Sequence, residues 1–377
     1  MSLTNENRIN DGLTCNYDEQ DRNGISVTLH RKHDEENSYF GPEDGRAINA
    51  EEVIPLNSGW RRELNEVSMP EVHRSVKVPS GEGVGCLRKF ASFIGPGALV
   101  AVGYMDPGNW STDIAGGSAY NYSLLFIVLL SSIIAMFLQA QAAKVGLVTQ
   151  RDLAQICRDL YPQPLVYLLW IISEIAIMAT DISEVIGSAI ALKLLFGIPL
   201  VGGVFITVAD VVLLLILQGR SFRYTEGIVG MLIVIITVCF CVQLGYSKPE
   251  AAALFSGFLP TGDVFTNSGE LFIAIGIMGA TVMPHNLFLH SSIVLTRDVP
   301  FHDKVALKEC IRYAQLDSTL SLCGALFVNA AILILAASTF YRNGFNDVAT
   351  LENAYQLLAP LLGSQVEYYI CVHICVY

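Results

Sequence analysis

Charged residues are scarce in this chain of 377 residues: they make up 15% of it, against 52% hydrophobic residues. An average soluble domain is about one-quarter charged, so the composition argues against an ordinary soluble protein. The sequence also lacks a basic excess, with 23 Lys and Arg against 35 Asp and Glu, and it has no basic stripe. Nucleic acid is therefore not expected as a partner.

Cysteines with paired metal-ligand spacing are also missing. The nine cysteines are scattered through apolar stretches, which is typical of small buried residues and not of a secreted disulfide framework. The first residues show no basic region followed by an apolar one, so we expect no cleaved signal peptide.

The charge that is present is unevenly placed. Residues 1–90 hold 11 Lys and Arg and 16 Asp and Glu, whereas residues 91–377 hold 12 and 19. Polar runs such as Asp34–Ser38 cannot bury enough apolar surface to offset the entropy of the chain. We therefore predict two parts: a largely disordered cytoplasmic tail over residues 1–90, and a transmembrane domain over residues 91–377.

The second part alternates apolar runs with short polar connectors. A membrane-spanning helix needs about 20 largely apolar residues. Seven runs meet this requirement, and an eighth begins near Ala354 and continues to Tyr377. The seven runs are Phe93–Gly116, Ser123–Val145, Val166–Leu195, Leu200–Leu217, Ile228–Leu244, Phe272–Leu295 and Leu316–Phe340. The sequence thus predicts an all-α, multi-pass integral membrane protein.

Lys and Arg cluster in alternate connectors, which predicts the orientation because positive connectors favour the cytoplasmic side. Arg88 and Lys89 precede the first span, and the intervening connectors are poor in positive charge. The N-terminus is therefore expected in the cytoplasm. The remaining members of the positive set are Lys144, Arg151, Arg158, Arg220, Arg223, Arg297, Lys304, Lys308 and Arg312.

Helix-breaking residues interrupt the first span near its middle. Pro107 removes a backbone donor and Gly108 tolerates left-handed dihedral angles, so we expect the helix to break there. Unwound backbone survives in a membrane only where it is buried in protein or lines a wet cavity. Asp106 and Asn109 flank the break, and an ionisable residue at the bilayer centre is costly and usually functional.

The sixth span is interrupted in a corresponding place. Pro284 follows Met283 and is expected to free an upstream carbonyl, that of Ala280, from its helical hydrogen bond. A pair of Gly- and Pro-interrupted spans at corresponding positions of two halves indicates the binding site of a transporter. The alternative is a pair of ordinary proline kinks.

These interruptions bring together ligands suited to a metal ion. The oxygens of Asp106 and Asn109 and the Ala280 carbonyl suit a hard divalent cation, and the Met283 sulfur adds softness. Such a mixed set favours manganese, iron or cadmium over calcium and magnesium. We expect the metal to be the substrate, with no resident cofactor and no catalytic residue, so the chain is not predicted to be an enzyme.

A line of acids in the third span suggests a route for protons. At about 100° per residue, Glu174 and Asp181 differ by roughly 20°, and Glu184 lies about 60° from Asp181, so all three share one stripe. A stripe of carboxyls that faces the bundle can pass protons. Simple pairing of these acids with Arg is the alternative. His285 and His290 are equally candidates for proton coupling or for packed hydrogen-bonding residues.

At these residues the chain resembles the Nramp (natural resistance-associated macrophage protein) family of proton-coupled divalent metal transporters. The similarity covers about Gly95 to Leu362. The motifs that carry it are Asp106–Asn109, Met283–Asn286 with His290, Thr180–Glu184, Gly219–Arg223 with Glu226, and Asn329–Ile332.

The resemblance implies a LeuT-like fold of two inverted repeats with broken helices one and six. It implies that Asp106, Asn109, the Ala280 carbonyl and Met283 bind the metal. It also implies that Glu174, Asp181, Glu184 and His290 belong to the proton pathway. The expected function is symport of manganese, iron or a similar cation with protons toward the cytoplasm, in the plasma membrane or an endosomal or vacuolar membrane.

From Gly363 onward the chain departs from the family pattern, so we expect an incomplete second repeat and a partial eighth span. An inactive truncated transporter is one alternative to transport. A membrane receptor with an Nramp-like domain is another, although a signalling domain need not keep the metal-binding set. An amino-acid transporter of the same fold is a third, but it gives the thioether no role.

Overall fold

The computed structural model describes residues 67–79, 85–217, 222–260, 262–300 and 303–348, together with 353, 354 and 357. Five helices in these ranges are long and apolar enough to cross a membrane, and a bent pair of shorter helices adds a sixth candidate. The fourth predicted span is also helical, over Leu200–Leu217. Each of the seven predicted apolar runs therefore falls on helix.

The described residues form helices and one pair of two-residue strands. The strands β1 (Val76–Lys77) and β2 (Arg297–Asp298) are parallel. The helices are α1 (Cys86–Phe93), α2 (Pro96–Val102), α3 (Pro107–Tyr120), α4 (Leu125–Thr149), α5 (Leu153–Leu160), α6 (Gln163–Phe196), α7 (Leu200–Leu217), α8 (Phe222–Ser247), α9 (Ala251–Gly257), α10 (Asp263–Thr266), α11 (Ser268–Thr281), α12 (Pro284–Ile293) and α13 (Lys304–Thr339), with 3-10 turns at Gly103–Met105, Val294–Thr296 and Tyr341–Asn343.

Helix α13 forms the centre of the core, and its residues from Val328 to Thr339 are all buried. It packs against α2, α3, α4 and α8. In the same buried cluster, the Trp110 ring of α3 meets the Phe240 ring of α8 edge-on, with centroids 5.8 Å apart. The broken helices are therefore held against an intact helix.

The first span is interrupted twice. The helix axes of α1 and α2 differ by 42°. The bend lies at Gly95, whose φ of 138° is accessible to glycine but strained for other residues. After α2 a 3-10 turn leads to Asp106, which is extended, and α3 then starts at Pro107. The span begins at Cys86, earlier than the predicted Phe93, because the apolar pattern alone did not reveal the short amphipathic α1.

The second interrupted span consists of α11 and α12. Helix α11 ends at Thr281, Val282 and Met283 are extended or irregular, and α12 starts at Pro284. Pro284 stands at the first helical position, where its missing N–H costs no hydrogen bond. The interruption lies at the position that the sequence predicts.

Part of the predicted tail has a defined path. The segment 67–79 pairs through β1 with β2, and Arg74 N donates to the Leu295 carbonyl at 3.0 Å. The Arg74 side chain donates to Gln150 Oε1 at 3.0 Å. The segment thus attaches to the chain just after α12, which the composition of residues 1–90 did not indicate. Residues 1–66 lie outside the described residues.

Helix α6 presents much of its surface outward, including Trp170 at 58% and Ile182 at 61% exposure. Apolar side chains at such positions suit contact with lipid. Gly187 marks where α6 approaches α3, because a Cβ at that position would lie 2.5 Å from Pro107 Cγ. Close packing at Gly187 therefore connects α6, the acidic helix that carries the three predicted proton-route acids, with α3 at the first interruption.

Candidate metal site

Asp106 organises the first interruption through its own side chain. It is the N-cap of α3, and its Oδ1 accepts hydrogen bonds from Asn109 N at 2.9 Å and from Asn109 Nδ2 at 2.6 Å. Both side chains are buried, Asp106 at 6% exposure and Asn109 at 1%. Because the helix N-terminus carries partial positive charge, it favours a carboxylate at this position.

Asn109 also connects the two interrupted spans. Its Nδ2 donates to the Ala280 carbonyl at 3.2 Å, and Thr281 Oγ1 donates to its Oδ1 at 3.4 Å. Pro284 lacks the N–H that would normally bond to the Ala280 carbonyl, so this oxygen is available to a partner outside its helix. Three of the four predicted ligands are therefore brought together: Asp106, Asn109 and the Ala280 carbonyl.

The fourth predicted ligand, Met283, lies at the N-terminus of α12. Its side chain is buried at 5% exposure and belongs to the same apolar cluster as Tyr104 and Met105. Asn286 Nδ2 approaches its sulfur at 4.0 Å. The thioether is thus packed between the two interruptions.

The described residues contain no group of three or more His, Cys, Asp or Glu side chains that could hold a metal ion. The candidate site depends instead on one carboxylate, one amide, one carbonyl and one thioether. A site that passes its ion onward must bind it weakly enough to release it, so a sparse set of ligands suits transport better than storage.

The predicted proton-route acids Glu174, Asp181 and Glu184 share α6, and all three are exposed among the described residues. Helix α6 packs chiefly against α7 and also contacts α3 and α12. Glu174 accepts a hydrogen bond from Trp170 at 2.9 Å. Glu184 interacts electrostatically with Asp181 and Asp106.

The two histidines of α12 point to different neighbours. His290 is fully buried, and its Nδ1 lies 2.9 Å from Gln139 Oε1, while Gln139 Nε2 donates to Tyr104 Oη at 2.9 Å. This places His290 against α4 and not beside the acids of α6. His285 instead interacts electrostatically with Asp181. Of the two histidines, the structure therefore brings His285 to the acidic helix.

A buried ion pair at the bend between α1 and α2 was not foreseen. Arg297 has a fully buried side chain, and its Nη1 lies 2.7 Å from Glu226 Oε1. Its Nη2 donates to the Ile94 carbonyl at 3.1 Å, and Arg223 Nη1 donates to the same carbonyl at 2.7 Å. Burial lowers the pKa of Arg297 from its ordinary value, and the hydrogen bond to Glu226 opposes that shift.

Two aspartates also have positions that the sequence did not indicate. Asp317 of α13 accepts a hydrogen bond from Gly97 N at 2.7 Å, which ties the start of α2 to the central helix. Asp113 of α3 is 1% exposed, and its Oδ2 has no hydrogen-bond partner among the described residues. Asp113 follows Asp106 by seven residues, which is about two helical turns. This spacing could have placed the two carboxyls on the same face from the sequence alone.

The family model described as natural resistance-associated macrophage protein-like matches residues 97–374. The chain belongs to the Nramp family. The match continues past Leu362, so the expectation that the last residues leave the family pattern was wrong. Residues 358–377 lie outside the described residues.

Two relatives are divalent metal cation transporters named MntH. That of Listeria welshimeri is 53% identical over 316 residues, covering 84% of this chain and 70% of its own length. That of Bradyrhizobium diazoefficiens is 52% identical over 307 residues, covering 81% and 68%. Both are named as transporters and not as enzymes, as predicted for this chain.

A solved structure of a manganese transporter is similar to this chain in three dimensions. A mutant of the manganese transporter of Eremococcus coleocola superposes with a TM-score of 0.74 at 40% identity, covering 82% of this chain and 65% of that one. This Nramp chain thus spans about two thirds of the length of the relatives it matches. The all-α, LeuT-like inverted-repeat fold and the multi-pass membrane character are confirmed.

Proposed function

We propose that the chain transports divalent transition-metal cations, manganese or iron, across a membrane toward the cytoplasm together with protons. The contact from Asn109 of α3 to the Ala280 carbonyl of α11 carries this proposal, because it joins both interruptions at one group of oxygens. The named functions of the MntH relatives support it. The N-terminus is proposed to lie in the cytoplasm, and no resident cofactor is required.

The proposed cation site needs only a small rearrangement of the side chains. In the structure, Asn109 Nδ2 contacts both the Asp106 carboxylate and the Ala280 carbonyl. Turning this amide over directs its oxygen toward the same place, so that three oxygens converge there. Met283 supplies the soft fourth ligand. Alternating access then moves the halves of the interrupted helices around this site.

Protons are proposed to leave the site along α6. Glu184 interacts electrostatically with both Asp106 and Asp181, and Glu174 continues the stripe. His290, which the family resemblance assigns to this pathway, lies against Gln139 of α4 instead. His285 is the imidazole better placed for the acidic helix.

The full chain in liposomes tests transport directly. With manganese outside, we expect uptake that increases when the outer solution is made more acidic than the interior, because protons move inward with the metal. A manganese-quenched dye inside the vesicles measures it. Binding of manganese without uptake would contradict transport and favour the receptor alternative, whereas uptake that ignores the pH gradient would contradict proton coupling.

Met283→Ala is expected to relax selectivity. Without the thioether the site keeps only oxygen ligands, which calcium and magnesium prefer. Competition by calcium against manganese uptake should become roughly tenfold stronger, equivalent to about 1.4 kcal/mol. Met231→Ala is the control, because Met231 is 57% exposed on α8. Unchanged competition in Met283→Ala would exclude the sulfur as a ligand.

A further inference from the structure

Asn286 occupies a position beside the candidate ligands without being one of them. It lies in the first turn of α12, three residues after Met283, and residues three apart are neighbours on a helix surface. Its side chain is 4% exposed. Its Nδ2 donates to Met283 Sδ at 4.0 Å, so this amide contacts the one soft atom of the site.

The other interrupted span provides the space for this amide. Gly103 begins the 3-10 turn that leads to Asp106. A Cβ at Gly103 would overlap Asn286 Nδ2 and would lie 3.1 Å from its Oδ1. The side chain of Asn286 is therefore seated between the backbone of one interruption and the thioether of the other.

A methionine needs such support to act as a dependable ligand. Its side chain has three rotatable bonds and adapts readily to its surroundings. A thioether sulfur has two lone pairs, so an N–H directed at one lone pair leaves the other free for a cation. Because N–H···S hydrogen bonds are weak, the amide orients the sulfur without competing strongly with a metal.

We propose that Asn286 is a positioning residue that determines cation selectivity by holding the Met283 thioether toward the site. The inference rests on the proposed function and adds a residue outside the assigned ligand set. The preference of the site for soft cations then depends on two side chains: Met283 supplies the sulfur, and Asn286 fixes its direction.

Cadmium-edge X-ray absorption of the purified full chain with its nine cysteines replaced by alanine, so that no thiolate binds cadmium, tests this role together with manganese uptake in competition with calcium. Asn286→Ala should weaken the cadmium–sulfur signal and lower the preference for manganese over calcium by about 3- to 10-fold, the effect of losing one hydrogen bond. In a Met283→Ala background the same change should have no further effect, because the sulfur is already absent.

Gly103→Ala tests the same contact from the opposite helix. The added methyl group displaces the Asn286 amide, so selectivity should shift in the same direction as in Asn286→Ala. Gly324→Ala on α13 is the matched control, since a Cβ there meets nothing within 4 Å. Gly103→Ala also provides the test if Asn286→Ala fails to fold.

Two results would overturn the proposal: a full cadmium–sulfur signal with normal selectivity in Asn286→Ala, or an equal loss of selectivity in the Met283→Ala background. The second result would show that Asn286 acts on something other than the sulfur. Failure of the proposed function looks different, because the unmodified chain would then show no uptake, and the cysteine-free chain with Met283 and Asn286 intact would show no cadmium–sulfur signal.

Discussion

Asp106→Ala is expected to reduce manganese uptake to background. The substitution removes the only carboxylate among the candidate ligands. It therefore removes the negative charge that offsets the free-energy cost of dehydrating the cation. A decrease of at least about 100-fold corresponds to about 3 kcal/mol of lost binding. Uptake of manganese into liposomes that contain equal amounts of protein measures it.

Asp106→Ala also removes the N-cap of α3, so a second variant must separate binding from folding. Asp106→Asn keeps an oxygen that can accept from Asn109 N, whereas loss of a cap costs about 0.5–2 kcal/mol. Both variants should lose uptake, but only alanine should lower the unfolding temperature clearly. Asp210→Ala, at an exposed acid of α7, is the control. Near-normal uptake by Asp106→Asn would exclude a charged ligand there.

Arg297→Ala is expected to cause the largest loss of stability. It leaves Glu226 buried at 3% exposure with Arg223 as its remaining partner, and Arg223 is 46% exposed. It also removes one of the donors to the Ile94 carbonyl. Breaking a buried ion pair by removing one partner costs about 3–5 kcal/mol. Thermal unfolding in detergent should shift downward by several degrees.

The double variant Glu226→Gln with Arg297→Met distinguishes loss of charge balance from loss of packing. Neutralising both partners should restore part of the unfolding temperature, because no uncompensated charge remains buried. Arg88→Ala at an exposed position of α1 should leave the unfolding temperature unchanged. An Arg297→Ala protein as stable as the unmodified chain would show that the ion pair contributes nothing.

The interruptions could be predicted from the sequence because their cause is local. Pro107 and Pro284 cannot continue a helix from the preceding turn, whatever surrounds them. The same local logic identified the Ala280 carbonyl, which accepts from Asn109. The bend at Gly95 was also encoded locally by Gly95 and Pro96, but the apolar run hid it.

The features that were missed depend on distant residues. Arg297 follows a span, so the distribution of positive charge placed it at the membrane surface, whereas its partner Glu226 precedes it by 71 positions and makes burial possible. The surroundings of the α6 acids also depend on distant residues. Helical periodicity shows that Glu174 and Asp181 share a stripe, but it does not show which neighbours cover that stripe.

The short pairing of β1 with β2 has a mechanical consequence. Backbone hydrogen bonds join Val76–Lys77, which precede α1, to Arg297–Asp298, which follow α12 and its 3-10 turn. A fusion partner, antibody or tether bound to this segment is therefore also coupled mechanically to α12. If α12 moves during transport, as proposed, a purification tag placed near Val76 moves with it.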